Sequence, residues 1–213
     1  MDKVFCVFGT SITHGKGDFE QGGWVARLRK FFDQKNLANP ENYFGIYELG
    51  VSGETTSQLL KRFEIECGAR LIERKEYNEQ AVIIFEIGIN DSQFIHSKNG
   101  PRTSPGEFKE NIKKLIEFSK EFTDEIIFLG LTPVDEPKTT PIPWNTDKSY
   151  KNENIQRNNE IIKVACEKNN QPFIEIFNSL NNEDLYDGLH PNEKGHQKIF
   201  EIVKDFLIEN KII

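Results

Sequence analysis

Val4-Phe5-Cys6-Val7-Phe8-Gly9-Thr10-Ser11 is the stretch of sequence around which the rest of the chain can be arranged. Its five consecutive apolar residues predict a short parallel strand that is covered on both faces. A glycine and two hydroxyl residues end the strand, so Ser11 is expected at the carboxyl end of a sheet. Open α/β sheets bind ligands in the crevice at that end. We therefore predict that Ser11 is a nucleophile and that other segments bring it a base and an oxyanion site.

Predicted strands and helices alternate along the whole chain. Strands are predicted at residues 3–8, 44–49, 81–87, 125–131 and 172–176. Helices are predicted at residues 22–35, 56–74, 150–169 and 193–209, and a further helix is predicted to begin after Ser104, the first residue of a capping box. This alternation is typical of a parallel sheet with helices on both faces. The predicted fold class is α/β, a three-layer α/β/α sandwich with a flavodoxin-like five-stranded parallel sheet in the order 2-1-3-4-5.

Length and charge narrow the classes of function. The 213 residues suit one α/β domain over residues 1–213, and the 17 Phe supply bulk for its core. The 27 Lys and Arg against 34 Asp and Glu give a net charge of −7, and no basic patch with interleaved aromatic residues is present in the sequence. We therefore expect neither nucleic-acid binding nor attachment to an anionic membrane surface.

The N-terminus and the cysteines bear on localisation. The first strand is too short an apolar run for a signal peptide or a membrane-spanning helix. Cys6, Cys67 and Cys166 are odd in number and widely spaced, which favours reduced thiols over a disulfide framework. The sequence therefore predicts a cytoplasmic protein.

Two predicted loops are too long to be simple connections. Residues 91–103 follow the third strand, and residues 132–148, which carry four prolines and Trp144, follow the fourth. Because both leave the carboxyl ends of their strands, we predict that they wall a pocket. The alternative is that they are proline-stiffened surface loops without a functional role.

Four polar turns are expected to converge at the same edge of the sheet. They are Gly9-Thr10-Ser11, Gly50-Val51-Ser52-Gly53-Glu54, Gly88-Ile89-Asn90-Asp91 and Asp187-Gly188-Leu189-His190-Pro191. His190 is the candidate base for Ser11, and Asp187 is placed to accept a hydrogen bond from its imidazole. The backbone N–H groups of Ser11 and Gly53 and the side-chain amide of Asn90 are the kinds of donor that an oxyanion needs. Each turn alone is more typical of ordinary turn and cap chemistry, and only their combination is specific.

Other functions fit the sequence less well. The segment from Gly9 to Lys16 is similar to a phosphate-binding loop, but five residues separate its two glycines where the motif has four. Asp187, His190 and His196 contain metal-ligating groups, but without the spacing of a metal motif, so no metal site is expected.

Two further histidines lie near the predicted site. We expect His14 to be a turn or pocket-rim residue and His96, in the first long loop, to lie within reach of substrate.

The four turns resemble the sequence blocks of the SGNH hydrolases, also called the GDSL esterase/lipase family. The matching segments are Phe8-Gly9-Thr10-Ser11-Ile12-Thr13, Gly22-Gly23-Trp24, Glu48-Leu49-Gly50-Val51-Ser52-Gly53-Glu54-Thr55, Gly88-Ile89-Asn90-Asp91 and Asp187-Gly188-Leu189-His190-Pro191-Asn192. The resemblance extends from the first strand to the last helix. It implies the three-layer fold and a reaction that needs no metal or organic cofactor.

The resemblance also implies a role for each matching position. Ser11 is the implied nucleophile, His190 the base and Asp187 its orienting partner, while the Ser11 amide, Gly53 and Asn90 form the oxyanion hole. One position departs from the pattern, because the family usually has Asp where this chain has Thr10. A threonine hydroxyl replaces only some of the hydrogen bonds that a carboxylate accepts, so the departure bears on the stiffness of the turn and on turnover.

The expected function is that of a serine hydrolase acting on a small-molecule carboxylic ester through an acyl-enzyme. The polar, proline-rich loops favour a short acyl ester or an acetylated sugar over a long lipid chain. The alternatives are a thioesterase or lysophospholipase of the same family and a non-catalytic binding module that keeps the fold.

Overall fold

The computed structural model describes residues 2–71, 77 and 79–213 of the chain. In chain order its helices and strands are β1 (Lys3–Gly9), α1 (Gly23–Ala38), β2 (Phe44–Gly50), α2 (Thr56–Leu71), β3 (Gln80–Glu86), β4 (Phe94–Ile95), β5 (Gly100–Pro101), α3 (Pro105–Ser119), β6 (Ile126–Leu129), α4 (Glu136–Thr139), β7 (Lys148–Ser149), α5 (Asn152–Asn169), β8 (Phe173–Ile174) and α6 (Glu193–Glu209).

A parallel sheet of β2-β1-β3-β6-β8 forms the centre of the fold within these ranges. Counted along the chain, this is the predicted order 2-1-3-4-5, which is confirmed. β1 pairs along its whole length with both neighbours, and its last residue, Gly9, is level with Gly50 of β2 and Glu86 of β3. The segments that follow these three strands therefore start side by side at one edge of the sheet.

Helices flank the sheet and complete the three layers that the sequence predicted. α1 packs against α6, and α2, α3 and α5 form a second row in which each helix contacts the next. Fully buried phenylalanines join the strands to one another and the helices to the sheet. Across the second kind of contact, the ring of Phe32 in α1 lies 4.8 Å from that of Phe5 in β1. The ring of Phe85 in β3 stacks between Phe8 of β1, at 5.8 Å, and Phe128 of β6, at 4.8 Å. Burial of such large rings supplies much of the hydrophobic stabilisation of a core.

Several element boundaries differ from the predictions. The predicted strand at 125–131 forms only Ile126–Leu129, and that at 172–176 forms only Phe173–Ile174. The second is an edge strand that pairs with β6 alone, and Ile176 already caps a short 3-10 turn. The helix predicted from residue 150 begins at Asn152. In the helix predicted at 56–74, residues 72–74 lie outside the described residues.

The two long loops are joined to each other. β4 and β5 form a hairpin in the first loop, and β7 at the end of the second pairs antiparallel with β4, giving a small sheet in the order β5-β4-β7. The carboxylate of Asp147 accepts from the Ser97 backbone N–H and hydroxyl, both at 2.7 Å. Each loop therefore holds the other over the carboxyl edge of the central sheet.

Two further findings concern the cysteines and the helices. Cys6, Cys67 and Cys166 are buried, and none of them forms a disulfide bond within the described residues. Across the part of the chain that the structure describes, every helix is too short or too polar to cross a membrane.

Candidate active site

Ser11 lies in a tight turn that begins where β1 ends. The Thr10 carbonyl accepts from the His14 N–H at 3.0 Å, and the Ser11 carbonyl accepts from the Lys16 N–H at 2.9 Å. A side chain at Gly9 would collide with Thr13 and with the backbone carbonyl of Glu86. The turn therefore folds back against β3, which a glycine at the strand end allows.

A continuous chain of hydrogen bonds joins Ser11, His190 and Asp187, although Ser11 and His190 are 179 residues apart in the sequence. The Ser11 Oγ lies 2.9 Å from His190 Nε2, and His190 Nδ1 lies 2.8 Å from Asp187 Oδ2. Asp187 Oδ1 also accepts from the backbone N–H groups of His190, at 2.9 Å, and Leu189, at 3.0 Å. An ionised aspartate can only accept, so Nδ1 carries the proton and Nε2 is free to accept from the serine.

The surroundings of Asp187 keep it ionised. Burial on its own would raise the pKa of this carboxyl, but the bonds from the His190 side chain and backbone outweigh that effect and lower the pKa to about 2. Asp187 is therefore a fixed negative charge beside the imidazole at any pH near neutrality.

The residues of the predicted oxyanion donors, Ser11, Gly53 and Asn90, line the same cavity. Within the described residues, the backbone N–H groups of Ser11 and Gly53 donate to no other protein group. Gly53 has φ of +79°, a conformation that favours glycine. The amide nitrogen of Asn90 donates to the Glu54 carbonyl at 3.0 Å, which leaves its second proton available. Three donors thus lie around Ser11.

Two arginines hold the loop that carries Gly53. Arg62 forms a bidentate ion pair with the buried carboxylate of Glu54, at 2.8 and 2.6 Å, and also donates to the Leu49 carbonyl. Arg102 reaches across from the first long loop and donates to the Gly53 carbonyl at 3.0 Å. Bidentate pairs of this kind fix geometry as well as adding energy.

A buried carboxylate lies beneath the nucleophile turn. Glu86, the last residue of β3, is 1% exposed. Its Oε2 accepts from the hydroxyls of Thr10, at 3.0 Å, and Thr13, at 2.8 Å, and from the backbone N–H groups of the same two residues, at 3.4 and 3.2 Å. Burial raises the pKa of Glu86 to about 7, although these four bonds act in the opposite direction.

A cavity of about 240 Å³ opens in front of Ser11. Gln93 and Arg102 line it from the first long loop, and Ile142, Trp144, Asn145 and Lys148 line it from the second. The predicted pocket-wall role of both loops is confirmed. A larger groove of about 380 Å³ lies between α3 and α5, and its lining of lysine, glutamate, asparagine and aliphatic side chains includes none of Ser11, His190 and Asp187.

The other histidines lie apart from this chemistry. His196 is fully buried in α6, where Nδ1 accepts from the Trp24 N–H at 3.3 Å and Nε2 donates to the Lys16 carbonyl at 3.1 Å. His14 is exposed beside Glu48 at 3.4 Å, which agrees with the predicted turn position. His96 bonds to Ser149 at 2.8 Å and does not line the cavity. The prediction that it lies within reach of substrate finds no support in this geometry.

Two residues of the site were missed by the sequence reasoning. Tyr150 had been assigned to the start of a helix, but its buried hydroxyl donates to Asn90 Oδ1 at 2.7 Å. Burial raises the pKa of this tyrosine, so its hydroxyl keeps the proton that it donates. Glu86 falls within a predicted hydrophobic strand, and the sequence reasoning assigns it no role in the site. A single charged residue at the end of the apolar run Val82-Ile83-Ile84-Phe85-Glu86-Ile87 is the signal that could have identified it.

The fold is a three-layer α/β/α sandwich, and the hydrogen-bonded chain of Ser11, His190 and Asp187 has the arrangement that serine hydrolases use. A family model, the GDSL-like Lipase/Acylhydrolase family, matches residues 7–198. The chain belongs to this family, and the membership places it among the carboxylic ester hydrolases.

Relatives and solved structures agree with the assignment. The chain is 24% and 25% identical to two GDSL esterase/lipases of Arabidopsis thaliana, over 93% and 99% of its own length, and spans 62% and 87% of theirs. It is 28% identical to a multidomain esterase of Ruminococcus flavefaciens over 90% of its length, but spans only 26% of that protein.

Two solved structures share the fold. An acetylxylan esterase from Geobacillus stearothermophilus matches with a TM-score of 0.66 and 20% identity, over 97% of this chain and 93% of that one. The lipase/acylhydrolase from Enterococcus faecalis also has a TM-score of 0.66 and 20% identity, over 97% and 95% of the two chains.

Proposed function

We propose that this chain is a serine esterase that hydrolyses small carboxylic esters through a covalent acyl-enzyme. The observation that carries the proposal is the contact of 2.9 Å between Ser11 Oγ and His190 Nε2, on an imidazole held by Asp187. A serine hydroxyl is a weak nucleophile until a neighbouring base accepts its proton, and this contact puts the base in place.

In the first half of the reaction, Ser11 Oγ attacks the carbonyl carbon and its proton passes to His190 Nε2. The carbonyl oxygen becomes an oxyanion, which the N–H groups of Ser11, Gly53 and Asn90 stabilise. Asp187 stabilises the imidazolium that forms. The ester C–O bond then breaks, and His190 returns the proton to the departing alcohol oxygen. The acyl group stays on Ser11.

In the second half, His190 takes a proton from water, and the resulting hydroxide attacks the acyl carbonyl. The same donors hold the second oxyanion. When the bond to Ser11 breaks, His190 gives the proton back to Ser11 Oγ and the carboxylic acid leaves. The enzyme is regenerated without any additional reactant.

A fluorophosphonate probe tests this mechanism, because it reacts with activated serines. Mass spectrometry of the labelled protein should locate the modification on Ser11. Ser11→Ala should abolish labelling and lower kcat by about a thousandfold or more. Ser52→Ala, which changes another serine of the cavity lining, is the matched control and should leave labelling of Ser11 intact. Hydrolysis that survives Ser11→Ala would refute the mechanism, and absence of labelling in the unchanged protein would favour a binding module.

For the substrate, we propose a short acyl group on a polar alcohol such as a sugar. The cavity of about 240 Å³ is smaller than the range of about 300–1,000 Å³ typical of drug-sized ligands. Lys16, Arg102 and Lys148 add polar groups to its lining, and Trp144, 55% exposed, offers an aromatic face at its edge. Such surroundings suit a small acyl group and a hydroxyl-rich alcohol better than a lipid chain.

A panel of p-nitrophenyl esters from acetate to decanoate tests the acyl part, and acetylated xylose against acetylated simple alcohols tests the alcohol part. We expect kcat/KM to fall beyond about four acyl carbons, because each further methylene would lie outside the cavity. Trp144→Ala should raise KM for the acetylated sugar more than for p-nitrophenyl acetate. Rising activity toward decanoyl esters, lysophospholipids or acyl thioesters would instead select one of the alternatives within the family.

A further inference from the structure

A single carboxylate oxygen organises the turn that carries the proposed nucleophile. Glu86 Oε2 accepts all four bonds from Thr10 and Thr13, while Oε1 is buried and has no hydrogen-bond partner among the residues that the structure describes. Both acceptor oxygens of a buried carboxylate are normally satisfied. Here the bonding is one-sided and is directed entirely at the residues on either side of Ser11.

These bonds constrain the position of the serine. Thr10 precedes Ser11 directly, and Thr13 follows it by two residues, so anchoring both fixes the turn at its start and in its middle. The Thr10 hydroxyl that donates to Glu86 also accepts from the Ile12 N–H at 3.3 Å, which continues the network around the turn. Ser11 itself makes no bond to Glu86; its hydroxyl remains free to meet His190 at 2.9 Å.

Burial of this carboxylate is unfavourable for the fold. The carboxylate is 1% exposed, and the four hydrogen bonds that its Oε2 accepts from Thr10 and Thr13 compensate for part of its desolvation. An apolar or amide side chain at the end of β3 would avoid the cost of taking a charge out of water. The four bonds to the turn are the contacts that offset this cost in the folded protein.

We propose that Glu86 is the positioning residue of the nucleophile turn, and that its carboxylate supplies the acceptor that Thr10 cannot supply. The inference rests on the proposed role of Ser11. It assigns Glu86 no contact with substrate: it acts through Thr10 and Thr13, which set where Ser11 Oγ lies relative to His190.

The test moves the carboxylate from position 86 to position 10. The assay is run at about pH 8, above the pKa of about 7 to which burial raises Glu86, so that the carboxylate is ionised. Glu86→Gln then keeps the shape but removes the charge, and the four bonds weaken. We expect kcat and the rate of fluorophosphonate labelling at Ser11 to fall about ten- to a hundredfold with KM nearly unchanged. Thr10→Asp alone should also lower kcat and the labelling rate, because it places a second carboxylate against Glu86. The double variant Thr10→Asp/Glu86→Gln has one carboxylate again and should label at least about tenfold faster than Glu86→Gln.

Two further variants make the outcome decisive. Thr13→Val removes the hydroxyl that forms the shortest of the four bonds, 2.8 Å, with Glu86 left in place, and should slow labelling even if Glu86→Gln does not fold. Glu117→Gln, at an exposed position of α3, makes the same change of charge away from the site and should have no effect. Two outcomes would overturn the proposal. One is that labelling of Ser11 stays unchanged in both Glu86→Gln and Thr13→Val. The other is that the double variant Thr10→Asp/Glu86→Gln loses as much labelling rate as the losses of its two single variants multiplied together.

The same assay separates this inference from the proposed function. If Ser11 is labelled in the unchanged protein but Glu86→Gln labels equally fast, only the positioning role fails. If Ser11 is never labelled and Ser11→Ala retains hydrolysis, the proposed function fails first, whatever the Glu86 variants do.

Discussion

The side-chain amide of Asn90 can point its nitrogen in only one direction. A backbone carbonyl accepts and never donates, so the nitrogen must face Glu54, 3.0 Å away. The oxygen then faces Tyr150, whose hydroxyl donates at 2.7 Å. The pair of contacts excludes the flipped amide, which would turn an acceptor toward the developing oxyanion. We therefore expect Tyr150 to act on the proposed reaction through Asn90.

Tyr150→Phe tests this dependence. Loss of the hydroxyl leaves Asn90 Oδ1 without a donor and frees the amide to rotate, so we expect kcat to fall about tenfold with little change in KM. Asn90→Ala, which removes an oxyanion donor outright, should cost about a hundred- to a thousandfold in kcat. If Tyr150 acts through Asn90, the double variant should match Asn90→Ala alone. Losses that multiply would show that Tyr150 acts on the substrate by another route.

The pH dependence of turnover should report on His190. The base must be neutral to accept the Ser11 proton, so kcat/KM should fall as acidification adds a proton to His190. With its pKa lowered to about 2, Asp187 stays ionised throughout that fall. Glu86, whose pKa burial raises to about 7, can add a second step to the acid limb of the unchanged protein. In Glu86→Gln that second group is absent, so the acid limb should follow a single protonation. Activity that stays constant down to pH 5 in both proteins would contradict His190 as the base.

At the scale of the elements, the register of β1 with its neighbours explains why the site forms where it does. Gly9, Gly50 and Glu86 are level, so the turns that follow these three strands begin within adjacent-strand distance of one another.

The turn that follows β3 is also linked to α2. Buried Asp91 accepts from the Thr56 N–H at 3.0 Å and from the Thr56 hydroxyl at 2.6 Å, which caps the first turn of the helix.

Asp91→Ala should therefore destabilise the fold. The change leaves buried donors of Thr56 unsatisfied, for which we expect a loss of about 2–3 kcal/mol in the free energy of unfolding. Urea denaturation at neutral pH measures it. Ser104→Ala is the matched control, since Ser104 caps α3 through one exposed contact of 3.3 Å and should cost about 1 kcal/mol or less. A smaller loss for Asp91→Ala than for Ser104→Ala would refute the capping role.

The elements also show how far the sequence could predict the molecule. β1, β2 and β3 were predicted to within one residue at each end. β1 and β3 are buried over most of their length and leave a clear apolar run, whereas β2 is only partly buried and leaves a weaker one. The small sheet β5-β4-β7 was missed because its two-residue strands have no periodicity and β7 lies about 50 residues from its partner β4 along the chain. The same limit applies to Glu86 and Tyr150, whose partners are distant in sequence and are revealed only by the fold.

At the scale of the whole molecule, the site places buried acidic groups inside a protein that already carries a net charge of −7. Burial raises the pKa of Glu86 to about 7, and it raises the pKa of Asp91 as well. In contrast, hydrogen bonds and nearby charge outweigh burial and lower the pKa of Asp187 to about 2. The first two groups favour the folded state at low pH, and the third favours it above the pH at which it ionises. Stability and catalytic readiness therefore have different pH optima.

The contribution of Glu86 can be isolated by comparing the unchanged protein with Glu86→Gln. Between about pH 4.3, the ordinary pKa of glutamate, and about pH 7, the folded protein keeps the Glu86 proton that the unfolded chain has lost. The unfolded state then binds fewer protons, so the free energy of unfolding falls as the pH rises through this window. Other groups contribute to both proteins alike and cancel in the difference. We expect the stability of the unchanged protein relative to Glu86→Gln to decline from pH 4.5 to 7.5, as measured by urea denaturation at several pH values. A difference that is constant across the window would show that Glu86 has the same pKa in both states, and a rising difference would show that the fold stabilises its charged form.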